Sequence, residues 1–326
     1  MEETVGVKAI NRAIASLDSG GLLELGFFGG EPLLEPHLIS KFINHARERT
    51  SRAGVGLRLS ITTNGTRASD QAWALMALSD LDLAISHDGL PEIHDRHRRD
   101  AHGRGSSFAV EATIARLHAA GKAFRVVMVV RPDTLDSLSQ GIEYLRKLGI
   151  HRIELAPDLW TKWSREDGPR LEAAIAVCAD LWRSALPDLE LNWFDEKAAR
   201  LAGCELTETA RCSFGKGQIA VAPSGRLYPC ERLIGEDSGS NPMLLPGHAT
   251  EGNDFLSMNP AEGRCATECR ACKLEPLCGT TCRCSNYTRT GQIGHPDGLL
   301  CLLEQVCIRE TARVLGARPE FVTISG

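Results

Sequence analysis

The stretch Leu22-Leu23-Glu24-Leu25-Gly26-Phe27-Phe28 leads directly into Gly29-Gly30-Glu31-Pro32 and decides the predicted fold. A short, nearly continuous apolar run is typical of a strand that is covered on both faces. Apolar residues at helical spacing precede this run over Val5 to Leu17 and follow it over Pro36 to Arg49. This succession of helix, strand, turn and helix predicts an α/β fold.

The same alternation continues as far as residue 157. Short apolar runs predict four more strands, and the spacing between them predicts three more helices. The strands are Leu57–Thr62, Leu81–Ser86, Phe124–Val130 and Arg152–Leu155, and the helices are Asp70–Leu78, Ser107–Ala120 and Leu135–Leu148. Five strands alternating with helices predict a parallel sheet or partial barrel, with functional loops at the carboxyl ends of its strands.

After Pro157 the alternation stops. A predicted helix from Arg170 to Ala185 leads into a Gly-, Pro- and Cys-rich region from Cys204 to Cys301, and a final helix spans Leu302 to Leu315. Long stretches without a regular apolar pattern need another source of cohesion, and bound metal can supply it.

Charge and termini restrict the class of partner. The formal net charge of -5 gives no basic field for nucleic acid or an anionic membrane, so both are disfavoured as partners. The acidic start Met1-Glu2-Glu3 lacks the basic-then-apolar pattern of a secretory signal, and no apolar run reaches membrane-spanning length. We therefore predict a cytoplasmic protein, in which dense cysteine more often binds metal or acts in catalysis than forms disulfides.

Eleven of the 12 cysteines lie between Cys204 and Cys307, and the first 177 residues contain none. Soft thiolates at short spacing hold iron–sulfur clusters or zinc. Cys178 and Cys307 lie on apolar helix stripes and are predicted to be core residues. Cys284 is left open as either an alternative metal ligand or a packed thiol.

The turn at residues 29–32 has the composition of a ligand-binding turn. Its two glycines let a ligand approach the backbone, Glu31 offers a carboxylate to a cationic group, and Pro32 fixes the chain. Alone it could be an ordinary turn. However, Thr63-Asn64-Gly65 and Ser86-His87-Asp88-Gly89 follow the next two strands, at the edge where such folds place their sites.

With these motifs, the first 157 residues resemble the radical S-adenosylmethionine (SAM) enzymes, whose partial (β/α)6 barrel carries a GGEP motif after its second strand. The resemblance implies that Gly29, Gly30, Glu31 and Pro32 hold the amino group of SAM and that Ser86 lies near it. Weaker candidates are Asn64, Asp88 and Arg98. Arg98 could equally be a solvated member of the basic run Arg96 to Arg99.

The cysteine-rich half is similar to the SPASM extension, the twin-cluster domain of radical enzymes that modify peptides and proteins. Cys212 and Cys230 flank Gly225 in the pattern C-x12-G-x4-C, and C-x2-C-x5-C-x3-C and one further cysteine follow. The resemblance implies two auxiliary [4Fe-4S] clusters, one held by Cys269, Cys272, Cys278 and Cys301 and one by Cys212, Cys230, Cys282 and Cys204. Zinc in the same sulfur cages is the alternative.

Two residues near these ligands have competing interpretations. Glu231 occupies the position of a base in sulfatase-maturing enzymes, and it could instead pair with Arg232. Cys265 completes a C-x3-C-x2-C spacing with Cys269 and Cys272, which is the spacing of the catalytic cluster. We interpret this as coincidence, because the catalytic triplet should follow the first barrel strand.

The resemblance implies a strand and three cysteines before the first helix, and here that helix begins almost at Met1. We therefore expect a truncated reading frame, an apolar edge strand at residues 22–28, and no SAM cleavage by this chain alone. The predicted architecture is a partial parallel (β/α)6 barrel lacking its first strand, followed by a small irregular iron–sulfur domain. Its segments are residues 1–157 (barrel), 158–203 (helical connector), 204–310 (SPASM) and 311–326 (end of the last helix).

The function implied by the resemblance is modification of a peptide or protein side chain by 5′-deoxyadenosyl radical chemistry in the full-length form. Its partners would be that substrate and a reductant such as flavodoxin or ferredoxin. The alternative is a non-catalytic, cluster-binding partner in electron transfer or peptide recognition.

Overall fold

The computed structural model describes residues 1–66, 69–204, 214–257, 269, 271–279 and 282–317. The predicted α/β class is confirmed by a parallel sheet whose six strands follow one another in chain order. The strands are β1 Leu22–Phe27, β2 Gly56–Thr63, β3 Leu81–Ser86, β4 Arg125–Val130, β5 Arg152–Pro157 and β6 Glu190–Leu191.

The predicted helices are present with shifted ends. The helices along the sheet are α1 Glu3–Ala15, α2 Pro36–Ala53, α3 Asp70–Met76, α4 Pro91–His97, α5 Ser107–Ala119, α6 Leu138–Lys147, α7 Asp167–Ser184 and α8 Asn192–Leu201. Sequence patterns missed α4 and β6, because α4 has only seven residues and β6 has two, too few to show a period, and they also missed α8. Within the described ranges, no helix combines the length and apolar character needed to cross a membrane.

Strand β1 forms one edge of the sheet, as predicted. It pairs with β2 in parallel register from Leu22 opposite Gly56 to Phe27 opposite Ile61. The expectation that both of its faces are covered is wrong. Leu23 is buried with residues of α1 and α2, whereas Leu22 on the other face is 40% exposed. Because Leu22 on the exposed face is itself apolar, the sequence does not show that buried and exposed positions alternate along β1.

Clustering of contacts divides the chain into two compact units. The first contains residues 1–85, 113–124 and 213–262. In it, a small antiparallel sheet of β7 Ala220–Val221, β8 Arg226–Tyr228 and β9 Leu245–His248 packs on α1. Arg12 of α1 donates hydrogen bonds to the carbonyls of His248 and Asp254, both at 2.6 Å, and its guanidinium lies 4.0 Å from the Phe255 ring centroid. Helix α1 is thus fastened to residues far along the chain.

The second unit contains residues 86–112, 125–212 and 263–326. Its last helices are α9 Arg283–Thr290 and α10 Gly298–Leu315. Cys178 on α7 and Cys307 on α10 are 0% and 2% exposed, which confirms both as core residues. The divisions between these units differ from the predicted segments, and the segment boundaries stay a prediction.

Candidate functional site

The Glu31 carboxylate organises the carboxyl ends of β1 and β2. Its Oε1 accepts hydrogen bonds from the Leu33 amide at 2.9 Å and the Thr63 hydroxyl at 2.6 Å, and its Oε2 accepts from the Asn64 amide at 2.7 Å. Two turns that are 32 residues apart in sequence are therefore joined through one side chain. Asn64 itself is engaged locally, because its Oδ1 accepts from the amide and hydroxyl of Thr66 at 2.9 and 2.8 Å.

The geometry of this turn suits a cationic ligand group. A carboxylate offers about four lone-pair positions, and the three donors of the described residues use three of them. One position on Oε2 can accept from an ammonium group. Gly29 and Gly30 have φ of +88° and +44°, and a Cβ on either would meet no atom within 4 Å. Backbone and carboxylate together therefore fit the amino group of a ligand.

Asp88, considered above as a cofactor contact, is used internally. It is 4% exposed and accepts from Arg98 Nε at 2.6 Å, from Arg98 Nη2 at 3.0 Å and from the Val129 amide at 3.0 Å. Burial alone would raise the pKa of Asp88, but Arg98 and the Val129 amide outweigh it and hold the pKa below its usual value. Arg98 is thus the partner of Asp88, and the interpretation of Arg98 as merely solvated is wrong.

Ser86 is the last residue of β3 and is partly buried. It lies in the second compact unit, whereas Glu31 lies in the first. The role of Ser86 near the cofactor therefore stays a prediction.

His87, in the turn after β3, and His94, on α4, have ring centroids 4.4 Å apart, with the rings inclined by 41° and both fully buried. His94 Nδ1 accepts from the Asp88 amide at 3.2 Å, and His94 Nε2 lies 2.9 Å from the Ser106 hydroxyl. His87 Nδ1 accepts from the Gly89 amide at 3.2 Å. Burial is the main cause that lowers the pKa of each to about 4, so both are neutral at pH 7.

Glu111 lies close to His87 and Tyr144 contacts Glu111, and neither residue was predicted from the sequence. The Tyr144 hydroxyl donates to Glu111 Oε1 at 2.8 Å, and the same oxygen lies 3.6 Å from His87 Nε2. Among the described residues His87 Nε2 has no partner within hydrogen-bonding distance. The available signal in the sequence was the polar His87 directly after the apolar residues Leu83, Ala84 and Ile85 and Ser86 of β3.

The predicted base, Glu231, lies beside a predicted ligand. Cys230 is 4% exposed, and its Sγ donates to Glu231 Oε2 at 3.4 Å. The glycine of the C-x12-G-x4-C motif has a steric role here. Gly225 has φ of +90°, and a Cβ would lie 2.3 Å from His248 Cε1. The base role of Glu231 stays a prediction.

Of the eight predicted metal ligands, Cys212 lies outside the described residues. Cys265, which is not one of the eight, also lies outside them. Cys204 is exposed directly beyond α8, and its amide donates to the Ala199 carbonyl at 3.0 Å. Over residues 1–66, 69–204, 214–257, 269, 271–279 and 282–317, no three or more His, Cys, Asp or Glu side chains are grouped to hold a metal ion. Both proposed ligand sets stay predictions.

The cysteine motif from residue 269 begins with consecutive turns. The Cys272 amide donates to the Cys269 carbonyl at 3.2 Å, and the Cys278 amide donates to the Glu275 carbonyl at 3.2 Å. Burial raises the pKa of the Cys301 thiol, and the nearby Cys272 raises it further. Gln305 opposes this shift through its Nε2, which lies 3.1 Å from the Cys301 sulfur. Neither Cys272 nor Cys301 is in a disulfide, which fits thiolate ligation of a soft metal centre.

An ion pair between a buried lysine and a half-buried glutamate lies in the same region. Lys197 on α8 is 2% exposed, and its Nζ lies 2.6 Å from Glu304 Oε2, one turn beyond Cys301 on α10. The amide of Gly279, the residue after Cys278, also donates to Glu304 Oε2. One half-buried carboxylate, close in sequence to Cys301, thereby also holds the residue after Cys278.

Cys282 directly precedes α9, and its sulfur contacts the sulfur of a second cysteine. Its Sγ lies 3.3 Å from Cys284 Sγ and accepts from the Ser285 hydroxyl at 3.2 Å. Contact with Cys284 is the main cause that raises the pKa of Cys282, burial adds to it, and Ser285 opposes it. Cys284 is 3% exposed.

Comparison with known proteins gives one family and several relatives. Residues 3–145 match the Radical SAM superfamily. Over 317 residues the chain is 23% identical to a cysteine-type anaerobic sulfatase-maturating enzyme of Clostridium novyi (strain NT), covering 92% of this chain and 81% of that protein. It is 24% identical over 295 residues to a serine-type enzyme of Klebsiella aerogenes, covering 84% of this chain and 70% of that protein.

Solved structures agree on the fold. A structure of native anSMEcpe with bound AdoMet superposes with a TM-score of 0.78 at 17% identity, covering 97% of this chain and 90% of the other. The same protein with bound AdoMet and a Kp18Cys peptide gives a TM-score of 0.76 with the same coverage and identity.

Proposed function

We propose, from the premise that residues 3–145 match the Radical SAM superfamily, that the chain binds SAM at Glu31 and, in its full-length form, acts on a peptide or protein side chain. The observation that carries the proposal is the Glu31 carboxylate, fixed by Leu33, Thr63 and Asn64 beside an open glycine backbone. SAM, when bound to a radical enzyme of this kind, supplies the 5′-deoxyadenosyl radical. The chain's own contribution is to hold the amino end of SAM.

Support for a peptide or protein substrate comes from the relatives. The sulfatase-maturating enzymes act on sulfatases by name, and a solved structure of anSMEcpe contains both AdoMet and a Kp18Cys peptide. We extend this substrate class to the present chain, with a reductant such as flavodoxin or ferredoxin as the second partner.

We also propose two auxiliary [4Fe-4S] clusters, one on each of the two sets of four cysteines assigned above. Support comes from the thiol chemistry of the donors and from the Lys197–Glu304 pair, which braces residues next to Cys278 and Cys301. Anaerobically reconstituted protein should be brown and hold about eight irons, two cubanes of four. Colourless protein with stoichiometric zinc would contradict this proposal.

The test of SAM binding is Glu31→Gln, which removes the charge and keeps one of the two oxygen acceptors. Losing a charge-assisted hydrogen bond costs about 1.5 to 3 kcal/mol, so affinity measured by calorimetry should fall about tenfold or more. Glu35→Gln is the matched control, because Glu35 is an exposed neighbour. Equal affinity of the Glu31→Gln variant and the unaltered chain would refute the assignment.

A specific observation favours a second candidate function. The sequence has no cysteine before Cys178, so it offers no C-x3-C-x2-C next to the Glu31 turn. We propose that this chain alone does not cleave SAM and, in that form, serves as a cluster-binding partner in electron transfer or peptide recognition. Formation of 5′-deoxyadenosine under strong reductant, detected by liquid chromatography, would refute the inactivity.

A further inference from the structure

We propose that the Cys284 thiol and the Ser285 hydroxyl are hydrogen-bond donors to Cys282 that raise the reduction potential of the auxiliary cluster bound through it. The inference rests on the proposed function, because it takes Cys282 as a cluster ligand. It assigns Cys284, which sequence patterns left open, to a role beside the ligand.

The contact between the two sulfurs argues against joint ligation of one cluster. Each thiolate of a [4Fe-4S] cluster binds a different iron, so ligand sulfurs stand outside separate corners of the cubane and do not touch. Cys282 Sγ and Cys284 Sγ are 3.3 Å apart, which is a direct contact. While this contact holds, one of the two is the ligand and the other is its neighbour.

The chemistry of metal binding then decides the direction of the hydrogen bond. In the metal-free chain either sulfur could donate. A thiol that binds iron gives up its proton, so ligated Cys282 can only accept. Cys284 keeps its proton and becomes the donor.

Ser285 adds a second donor to the same sulfur. Its hydroxyl donates to Cys282 Sγ at 3.2 Å, and the residue is 8% exposed, so water competes little for the hydroxyl. Donors to a ligating thiolate stabilise the electron-rich reduced cluster more than the oxidised one. Hydrogen bonds to sulfur are one of the features that set iron–sulfur potentials.

The experiment is a redox titration of the anaerobically reconstituted full chain, followed by electron paramagnetic resonance. Cys282→Ser identifies the signal that depends on this ligand. Ser285→Ala and Cys284→Ala should each shift the midpoint of that signal to a more negative potential and leave the other cluster unchanged. Ser285→Thr, which keeps a hydroxyl, should restore the original potential.

Thr288→Ala is the matched control, because Thr288 lies on the same helix and its hydroxyl donates at 2.9 Å to the Cys284 carbonyl instead of to sulfur. Both potentials should be unchanged in it. The inference is overturned if Ser285→Ala and Cys284→Ala keep full iron content and both potentials of the unaltered chain. It is also overturned if Cys284→Ala loses a cluster that Cys282→Ser retains. Absence of iron from the unaltered chain would instead refute the proposed function.

Discussion

Arg98 donates two hydrogen bonds to the buried carboxylate of Asp88, through Nε at 2.6 Å and through Nη2 at 3.0 Å. Asp88 in turn accepts from the Val129 amide of β4, so the pair ties the turn after β3 to the neighbouring strand. Because this turn follows β3 directly, Asp88 and Arg98 fix the position of the turn.

Replacing Arg98 by Met should therefore destabilise the chain. It leaves Asp88, whose side chain is 5% exposed, as an uncompensated charge. The free energy of unfolding should fall by about 2 to 3 kcal/mol, near the lower limit for a broken buried pair because Arg98 is 25% exposed. Urea denaturation measures this, with Arg52→Met as the control, since Arg52 and Glu48 are both largely exposed. Equal losses in the two variants would contradict the positioning role.

Stability should depend on pH through His87 and His94. Their pKa values are lowered to about 4 in the folded chain, against a usual 6.5, so between these values the unfolded state binds more protons. Stability is therefore fully present above about pH 6.5 and falls as pH drops towards 4, by up to about 1.4 kcal/mol per pH unit for each histidine.

His87→Leu tests this dependence because it removes one of the two buried titrating groups. Urea unfolding between pH 4 and 6.5 should show a shallower loss of stability in this variant than in the unaltered chain. His37→Gln, at an exposed position on α2, should leave the slope unchanged. A slope that is the same in all three proteins would show that other groups control acid stability.

The strands and the turns after them could be predicted because both signals are local. An apolar run followed by Gly29-Gly30-Glu31 or by Ser86-His87-Asp88 indicates a strand and its carboxyl end without knowledge of distant residues. The pairing of Asp88 with Arg98 could not be predicted, because a run of four basic residues at 96–99, counting His97, gives no sign that one member is turned inward. The packing of residues 214–257 on α1 was also hidden, since it joins segments more than 200 residues apart.

The glycine of the cysteine motif gives a steric prediction. Gly225→Ala should lower stability by about 2 kcal/mol or more, because the new Cβ meets His248 and because φ is +90°. Gly121→Ala is the matched control, since Gly121 has φ of +63° with no atom near its Cβ position. It should show only the backbone cost, about 1 kcal/mol.

The double variant Gly225→Ala with His248→Ala separates the two causes. Removing the imidazole should relieve the steric conflict, so the Gly225→Ala change should cost less in the His248→Ala background than in the unaltered chain. Thermal unfolding of the four proteins completes the cycle. Equal costs in both backgrounds would show that backbone strain alone accounts for the glycine.

The Lys197–Glu304 pair gives the last prediction. Lys197→Met leaves the Glu304 carboxylate without its ammonium partner in a site where Lys197 is 2% exposed, so unfolding should become easier by about 3 kcal/mol. Adding Glu304→Gln removes the unpaired charge and keeps an oxygen acceptor for the Gly279 amide. Most of the loss should then be recovered in urea denaturation. A double variant as unstable as Lys197→Met would mean that the lysine stabilises this region by packing its stem and not by neutralising Glu304.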